Sequence, residues 1–295
     1  THPRADQGAR EAGTTSGEAG TMTPQTRAAH NLAALAELLK PEPDTSILAN
    51  YEGWADARVR NPVFDVTGAV KPEHRPLFAQ LASELNIHHE ALLNAGGLTA
   101  YFTPLTICES MWQIALRALG RQPRTIIEPS AGTGRFLASQ PALSASSGPH
   151  AVQRLAIEPD PVFSRILQHR FPLWAIRATT FEAAGLQNAC ADIVIGNAPF
   201  GDWGVVDLHA PPMLRHKYLQ AKVHDYFICK AVSLLTPGGV VAMITHNSTM
   251  DREEVGVREW LTEHADLVAA YRLPANLWEG QGAAPVSDVL VLRRR

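Results

Sequence analysis

The sequence predicts an α/β fold: a mostly parallel sheet with helices on both faces, preceded by a helical N-terminal segment. Three observations carry this reading. Short β-branched, apolar runs recur at 124–127, 155–157, 192–195 and 240–244. Stretches with helical patterning, such as 161–170 and 224–235, lie between them, and strand-helix-strand repetition builds parallel sheets covered by helices. The chain has 295 residues and 45% hydrophobic composition, enough to bury one sizeable core with an accessory segment left over.

In chain order, residues 1–26 are rich in Gly, Thr, Ala and Ser and nearly devoid of large apolar side chains. They cannot offset the entropy of ordering and read as a disordered tail. From 27 to 40, Leu32, Leu35, Leu38 and Leu39 recur at helical spacing until Pro41-Glu42-Pro43 ends the run. Leu77, Phe78, Leu81, Leu85 and Leu92 predict more helix across 75–93. Residues 27–95 therefore form a helical segment with no evident chemistry. His88 and His89 are adjacent, so they point to different sides of a helix, and no carboxylate sits at ligand spacing. No metal site is expected. Residues 96–295 carry the alternating strands and helices of the main domain, closing on a strand-like run at 287–292.

Bulk properties narrow the function. Cys108, Cys190 and Cys229 are far apart and in no C-x-x-C pair, which suggests neither a disulfide framework nor a zinc site and fits a reducing, cytoplasmic setting. No apolar run reaches the roughly 18 residues of a membrane span, and residues 1–26 lack the apolar centre of a signal peptide. No membrane partner is expected. A formal charge of -3 excludes a chain that grips nucleic acid over its whole surface, because that binding rests on Lys and Arg releasing counterions. Any basic surface is local. Its best candidate lies between Asp207 and Asp225, where Arg215, Lys217 and Lys222 occur with His209, His216 and His224 and no carboxylate. A solvated loop is the equal alternative.

In parallel sheets ligands bind beyond the carboxyl ends of the strands, so the residues following each strand matter most. The first strand runs into Glu128-Pro129-Ser130-Ala131-Gly132-Thr133-Gly134 and a helix-compatible Arg135-Phe136-Leu137. Gly132 and Gly134 let the backbone turn sharply and approach a ligand, and the helix start offers unpaired N–H groups. The lysine of a phosphate loop is missing, which argues against a nucleoside triphosphatase. Glu158 closes the second strand, where a carboxylate can accept from both ribose hydroxyls of a nucleoside cofactor; a helix N-terminal carboxylate is the structural alternative. After the third strand comes Asn197-Ala198-Pro199-Phe200. An amide oxygen and a backbone carbonyl in one rigid turn can accept both hydrogens of an amino group and leave its lone pair aimed at an electrophile. Pro199 stiffens the turn, and Phe200 can stack on a planar base. Alone, Asn-x-Pro is a common turn; its place after a strand, downstream of the glycine turn and the acidic strand end, gives it weight.

The order of Tyr101-Phe102-Thr103-Pro104, the 128–134 loop, Glu158 and Asn197-Ala198-Pro199-Phe200 resembles the amino-group (N6-adenine) DNA methyltransferases. His224-Asp225-Tyr226-Phe227, Thr236-Pro237-Gly238-Gly239, Ser248-Thr249-Met250-Asp251 and Arg272-Leu273-Pro274 are similar to a narrower group, methylase domains fused to large helicase-like proteins of phages, plasmids and bacterial chromosomes. The likeness covers roughly residues 94–295. It implies a Rossmann-like fold, S-adenosyl-L-methionine as cofactor, and DNA as partner. It also implies a helicase-like or target-recognition region elsewhere, on another chain or in a longer parent protein. By position it makes Tyr101, Thr103, Glu128, Ser130, Gly132, Gly134, Glu158 and Asn197 cofactor-binding, Asn197, Ala198, Pro199 and Phe200 catalytic, and Arg215, Lys217 and Lys222 candidates for DNA contact. Two departures stand out. Ala198 occupies a position where many members have proline, and Thr179-Thr180-Phe181 lacks an acidic residue often found there, with Glu182 adjacent but displaced.

The expected reaction is direct transfer of a methyl group to adenine N6, without a covalent intermediate, since no cysteine nucleophile lies near the turn. Two other readings stay open: methylation of a glutamine side-chain amide in a protein, and a non-catalytic methylase-like module that binds DNA or cofactor.

Overall fold

The computed structural model describes residues 22–86, 102–143, 151–210, 222–278 and 285–295. Helix α1 spans Pro24–Glu37 and so begins inside the stretch expected to be tail. The Thr23 side chain accepts from the Thr26 N–H and Pro24 takes the first helical position, which together define a helix start. Short helices α2 (Thr45–Leu48) and α3 (Ala57–Arg60), capped by Asp44 and Asp56, precede α4 (Arg75–Glu84). The part of the predicted 75–93 helix beyond residue 86 lies outside the described residues, as do His88 and His89. This segment has its own core, with Leu35, Tyr51, Trp54, Phe64 and Phe78 buried together. Val162, Phe163 and Ile166 from the main domain complete that core, so the segment is packed onto the domain.

The main domain opens with α5 (Leu105–Leu119), ended by Gly120 in the left-handed conformation, as helix C-termini favour. The strands are β1 (Thr125–Glu128), β2 (Gln153–Ile157), β3 (Ala175–Arg177), β4 (Ala191–Asn197), β5 (Leu235–His246), β6 (Ala265–Arg272) and β7 (Ser287–Arg294). They form one sheet in the order β3-β2-β1-β4-β5-β7-β6. Pairing is parallel from β3 through β5, and β7 is antiparallel to both β5 and β6. The helices α6 (Arg135–Ala138), α7 (Pro161–Arg170), α8 (Val223–Leu234), α9 (Ser248–Asp251) and α10 (Gly256–His264) complete the order.

Alternate residues of the central strands sort cleanly between two cores. Ile126, Ile193, Ile195, Ala242, Ile244 and Val291 meet Met111, Trp112 and Ala115 of α5. Ile127, Val194, Val241, Met243 and Leu290 meet Phe227 and Ile228 of α8 and Trp260 of α10. Both faces of the sheet are thus covered, which is why these strands read as unbroken apolar runs. β3 and β6 lack that signature. β3 is three residues long, and β6 is a largely exposed edge strand with Leu267, Val268 and Tyr271 facing out.

Asp192 secures the end of the sheet away from the site. Its carboxylate accepts from Arg124 N (2.6 Å), Arg121 Nη2 (2.6 Å) and Thr236 Oγ1 (2.9 Å). Those donors outweigh burial and hold its pKa down at about 2. The strand order reverses direction at the β1–β4 pair, since β1 leads to β2 on one side while β4 leads to β5 on the other. The crevice beyond the carboxyl ends of β1 and β4 is the topological switch point of the sheet. Among the described residues, no helix is long and apolar enough to cross a membrane.

Candidate active site

The loop leaving β1 is shaped by two glycines with positive φ, Gly132 at 53° and Gly134 at 83°. At Gly134 a Cβ would overlap Phe171 and come within 2.7 Å of Leu167 Cδ2, so the loop sits directly on α7 and its C-terminus. At Gly132 a Cβ would meet nothing within 4 Å; here glycine serves the turn and leaves the backbone open to a ligand. The Ala131 N–H donates to Ile157 O (3.0 Å), tying the loop to the end of β2.

Two buried carboxyl groups flank this loop. Glu158 accepts from Gly132 N at 2.7 Å through Oε2 and from Asp160 N at 2.8 Å through Oε1. Burial nevertheless raises its pKa to about 7, because a desolvated carboxylate loses more than two backbone donors return. Glu128 is 1% exposed, and its Oε2 is buried without a hydrogen-bond partner among the described residues. Its pKa stands well above the ordinary carboxyl range, from burial first and from the neighbouring Glu158 second.

The Asn-x-Pro turn follows β4 and is held from three directions. Ala198 N donates to Ile244 O of β5 (3.0 Å), Ser130 Oγ donates to Asn197 O (2.7 Å), and Asn197 Nδ2 donates to Thr103 Oγ1 (3.3 Å). The amide nitrogen thus points to Thr103 and fixes which way Oδ1 faces. Residues far apart in the chain, the segment ahead of α5, the glycine loop and the turn after β4, are brought into direct contact.

A cavity of about 380 Å³ lies at this junction, within the size range of small-molecule sites. Thr103, Glu128, Ser130, Gly132, Glu158, Asn197, Ala198 and Pro199 all line it. Gly134 does not; its place is behind the loop, against Phe171. Phe200 departs from expectation as well. It is 9% exposed and absent from the cavity wall, because its ring is turned into the core against the edges of His224, His246 and Trp278. Tyr101, Arg215 and Lys217 lie outside the described residues.

Lys222 is described, and its partner comes from outside the stretch without carboxylates. It pairs with Asp202 at 2.6 Å, a residue just upstream of that stretch. His224 adds no positive charge there either. It is buried, its Nε2 lies 3.1 Å from Ser248 Oγ, and burial lowers its pKa to about 4. Among the wall residues that sequence missed or left without a role are Arg135, Asp160, Glu182 and Trp203. Arg135 and Asp160 adjoin the motifs at the first helical turns, where a search by position could have found them. Trp203 carried only the weak signal of an aromatic after a Gly-Asp pair.

The cavity wall carries four carboxyl groups, Glu128, Glu158, Asp160 and Glu182, and the guanidinium of Arg135. Such a wall suits a ligand that brings hydrogen-bonding or cationic groups, and the unpartnered Glu128 oxygen is a buried polar atom that a ligand can satisfy.

Comparison with known proteins agrees with this geometry. Residues 162–276 match the sequence model of the Eco57I restriction-modification methylase family. "Defense against restriction protein B" of Escherichia phage P1 is 28% identical over 202 residues, 68% of this chain but 8% of that protein. The chain therefore spans a small part of the length of the curated relative it matches. Among solved structures, the type I restriction-modification methyltransferase subunit of Streptococcus thermophilus superposes with a TM-score of 0.55 at 16% identity, covering 89% of this chain and 65% of that one. A modification subunit assigned to a type I restriction enzyme of Vibrio vulnificus YJ016 gives 0.55 at 16%, covering 81% and 52%. A protein assigned as a class I S-adenosylmethionine-dependent methyltransferase of Listeria monocytogenes gives 0.51 at 15%, covering 92% and 88%. The fold is that of the S-adenosylmethionine-dependent methyltransferases. The matched residues are similar to a restriction-modification methylase family, and S-adenosylmethionine is the cofactor expected of this fold.

Proposed function

We propose that this chain transfers the methyl group of S-adenosylmethionine to the exocyclic N6 amino group of adenine in DNA. The observation that carries the reading is the Asn197-Ala198-Pro199 turn on the same cavity wall as the Gly132 loop, Glu128 and Glu158. The residues fit the cofactor: Glu158 is placed to accept from ribose hydroxyls, and the open Gly132 backbone and acidic wall suit an amino acid end that carries an ammonium. Bound there, S-adenosylmethionine supplies an electrophilic methyl group on a sulfonium.

The chain's own part in the chemistry is orientation. Asn197 Oδ1 and the backbone carbonyl of Ala198 accept the two hydrogens of the target amine, which keeps the nitrogen lone pair out of conjugation with the ring and directed at the methyl carbon. Thr103 and Ser130 act as positioning residues, since their contacts to Asn197 set the amide and its peptide in place. Pro199 stiffens the turn. Once the new N–C bond forms, the nitrogen carries an extra proton that passes to solvent, so no side chain is required as a strong base.

The mode of substrate entry follows from size. An adenine inside a duplex cannot bring its amine to a buried turn, so the base must swing out, at a cost of a few kcal/mol for unstacking and unpairing. Arg215, Lys217 and Lys222 are proposed DNA contacts, and a target-recognition or helicase-like region on a longer parent chain or a partner is proposed to supply sequence choice. The test is incubation with labelled S-adenosylmethionine and separate DNA, RNA and protein substrates. Label in DNA supports the reading; label in protein glutamine alone, which presents the same paired hydrogens, replaces it.

A further inference from the structure

Phe200 and Trp203 sit on one loop leaving β4, and the fold gives them opposite surroundings. The Phe200 ring lies 6.1 Å from the His246 ring and 6.5 Å from both His224 and Trp278, each nearly edge-on. Trp278 is itself fully buried and anchored by Nε1 donating to Ser287 Oγ (3.0 Å). With three rings around it and 9% of its surface exposed, Phe200 offers a substrate little area to stack on.

Trp203 is 48% exposed and lines the cavity alongside Asn197, Ala198 and Pro199. Its indole folds back over Gly201, where any Cβ would overlap the six-membered ring. Glycine at 201 is therefore what lets the indole take this position. Between them Asp202 is held by Lys222 at the entry to α8, so the turn is tied at a second point. An exposed indole costs stability unless something covers it, since its large apolar area stays in water. Here it stands on the wall of the cavity that also holds the Asn197-Ala198-Pro199 turn.

We propose that Trp203, and not Phe200, is the stacking platform for the flipped adenine; the inference rests on the reading of DNA adenine as substrate. Every base has a π-face, so stacking on an indole is worth a substantial part of base affinity whatever the sequence context. Trp203 then holds the ring plane while Asn197 and the Ala198 carbonyl select the amine. Discrimination belongs to the turn and affinity for the extruded base to the indole.

The experiment compares the wild-type chain, Trp203→Phe and Trp203→Leu for steady-state methyl transfer to unmethylated genomic DNA and for S-adenosylmethionine affinity by calorimetry. Trp203→Leu is expected to raise the KM for DNA about ten- to hundredfold with cofactor affinity unchanged. Trp203→Phe, which keeps an aromatic face, is expected to recover most of the loss. Wild-type kinetics in Trp203→Leu would overturn the proposal, and so would a Trp203→Phe variant as impaired as Trp203→Leu, which would mark a packing role. A wild-type chain that binds the cofactor yet methylates no DNA would instead remove the substrate reading beneath it, and this inference with it.

Discussion

In the proposed reaction Asn197 is the residue that orients the amine, and it shares its cavity wall with Gly132, Glu128 and Glu158. Asn197→Ala removes one acceptor of the amine while leaving Gly132, Glu128 and Glu158 in place. Methyl transfer should fall at least about a hundredfold, as for other losses of reacting geometry, with the calorimetric affinity for S-adenosylmethionine within about threefold of wild type. Glu158 gives a second prediction with a definite sign. In the proposed cofactor complex, ribose hydroxyls donating to Glu158 would favour its ionised form, whereas burial raises its pKa to about 7 in the free site. Binding must therefore release that proton at lower pH, so affinity should rise as pH increases toward 7 and level off above it, by up to tenfold per unit. Glu158→Gln should flatten the profile; an unaltered slope would place the titration elsewhere. The sequence disclosed which residues close or follow each strand, and that sufficed for Glu128, Gly132, Glu158 and Asn197; Thr103, which came from the family resemblance, shares their cavity wall. It could not disclose which way Phe200 turns. That orientation is set by Trp278, His246 and His224, residues remote in the chain whose rings close around it.

At the scale of elements, legibility followed burial. β1, β2, β4 and β5 stood out because both sheet faces are covered, and α7 because Asp160 caps it, its side chain accepting from Val162 N and Phe163 N, with Pro161 at its start. β3 and β6 were missed because a three-residue strand and an exposed edge strand leave no apolar run to read. Within β5, Leu235 pairs with Ala191 while Val240 pairs with Ile193, so Thr236-Pro237-Gly238-Gly239 loops out of register, a bulge that apolar patterning alone does not reveal. The β1–α6 loop offers the sharpest stability test. Gly134→Ala combines a left-handed backbone with overlap of Phe171 and Leu167 and should cost about 2–5 kcal/mol. Urea melts should show a lower midpoint at constant slope; an unchanged midpoint would mean the loop relaxes freely away from α7.

Across the whole molecule, the N-terminal helices are joined to the site by more than apolar packing. Glu52 accepts from Arg27 Nε (2.9 Å) and from Arg135 Nη2 (3.3 Å), and Arg135 lies over the Phe102 ring on the cavity wall. Ion pairs at this exposure are worth about 0.2–1 kcal/mol. Glu52→Gln should therefore weaken S-adenosylmethionine binding by no more than about fivefold, an effect that calorimetry resolves; none at all would confine Glu52 to the N-terminal segment. The candidate site of the main domain was legible because most of its motifs are short and close or follow strands. The helical segment's link to it was not, because a salt bridge between residues 52 and 135 leaves no pattern in sequence. The most direct test of the central claim is incubation of the chain with labelled S-adenosylmethionine and unmethylated genomic DNA, followed by digestion to nucleosides and mass analysis. Label is expected in N6-methyladenine and is expected to be lost in Asn197→Ala. Label in a methylated cytosine, or none in DNA while protein glutamine becomes labelled, would contradict it.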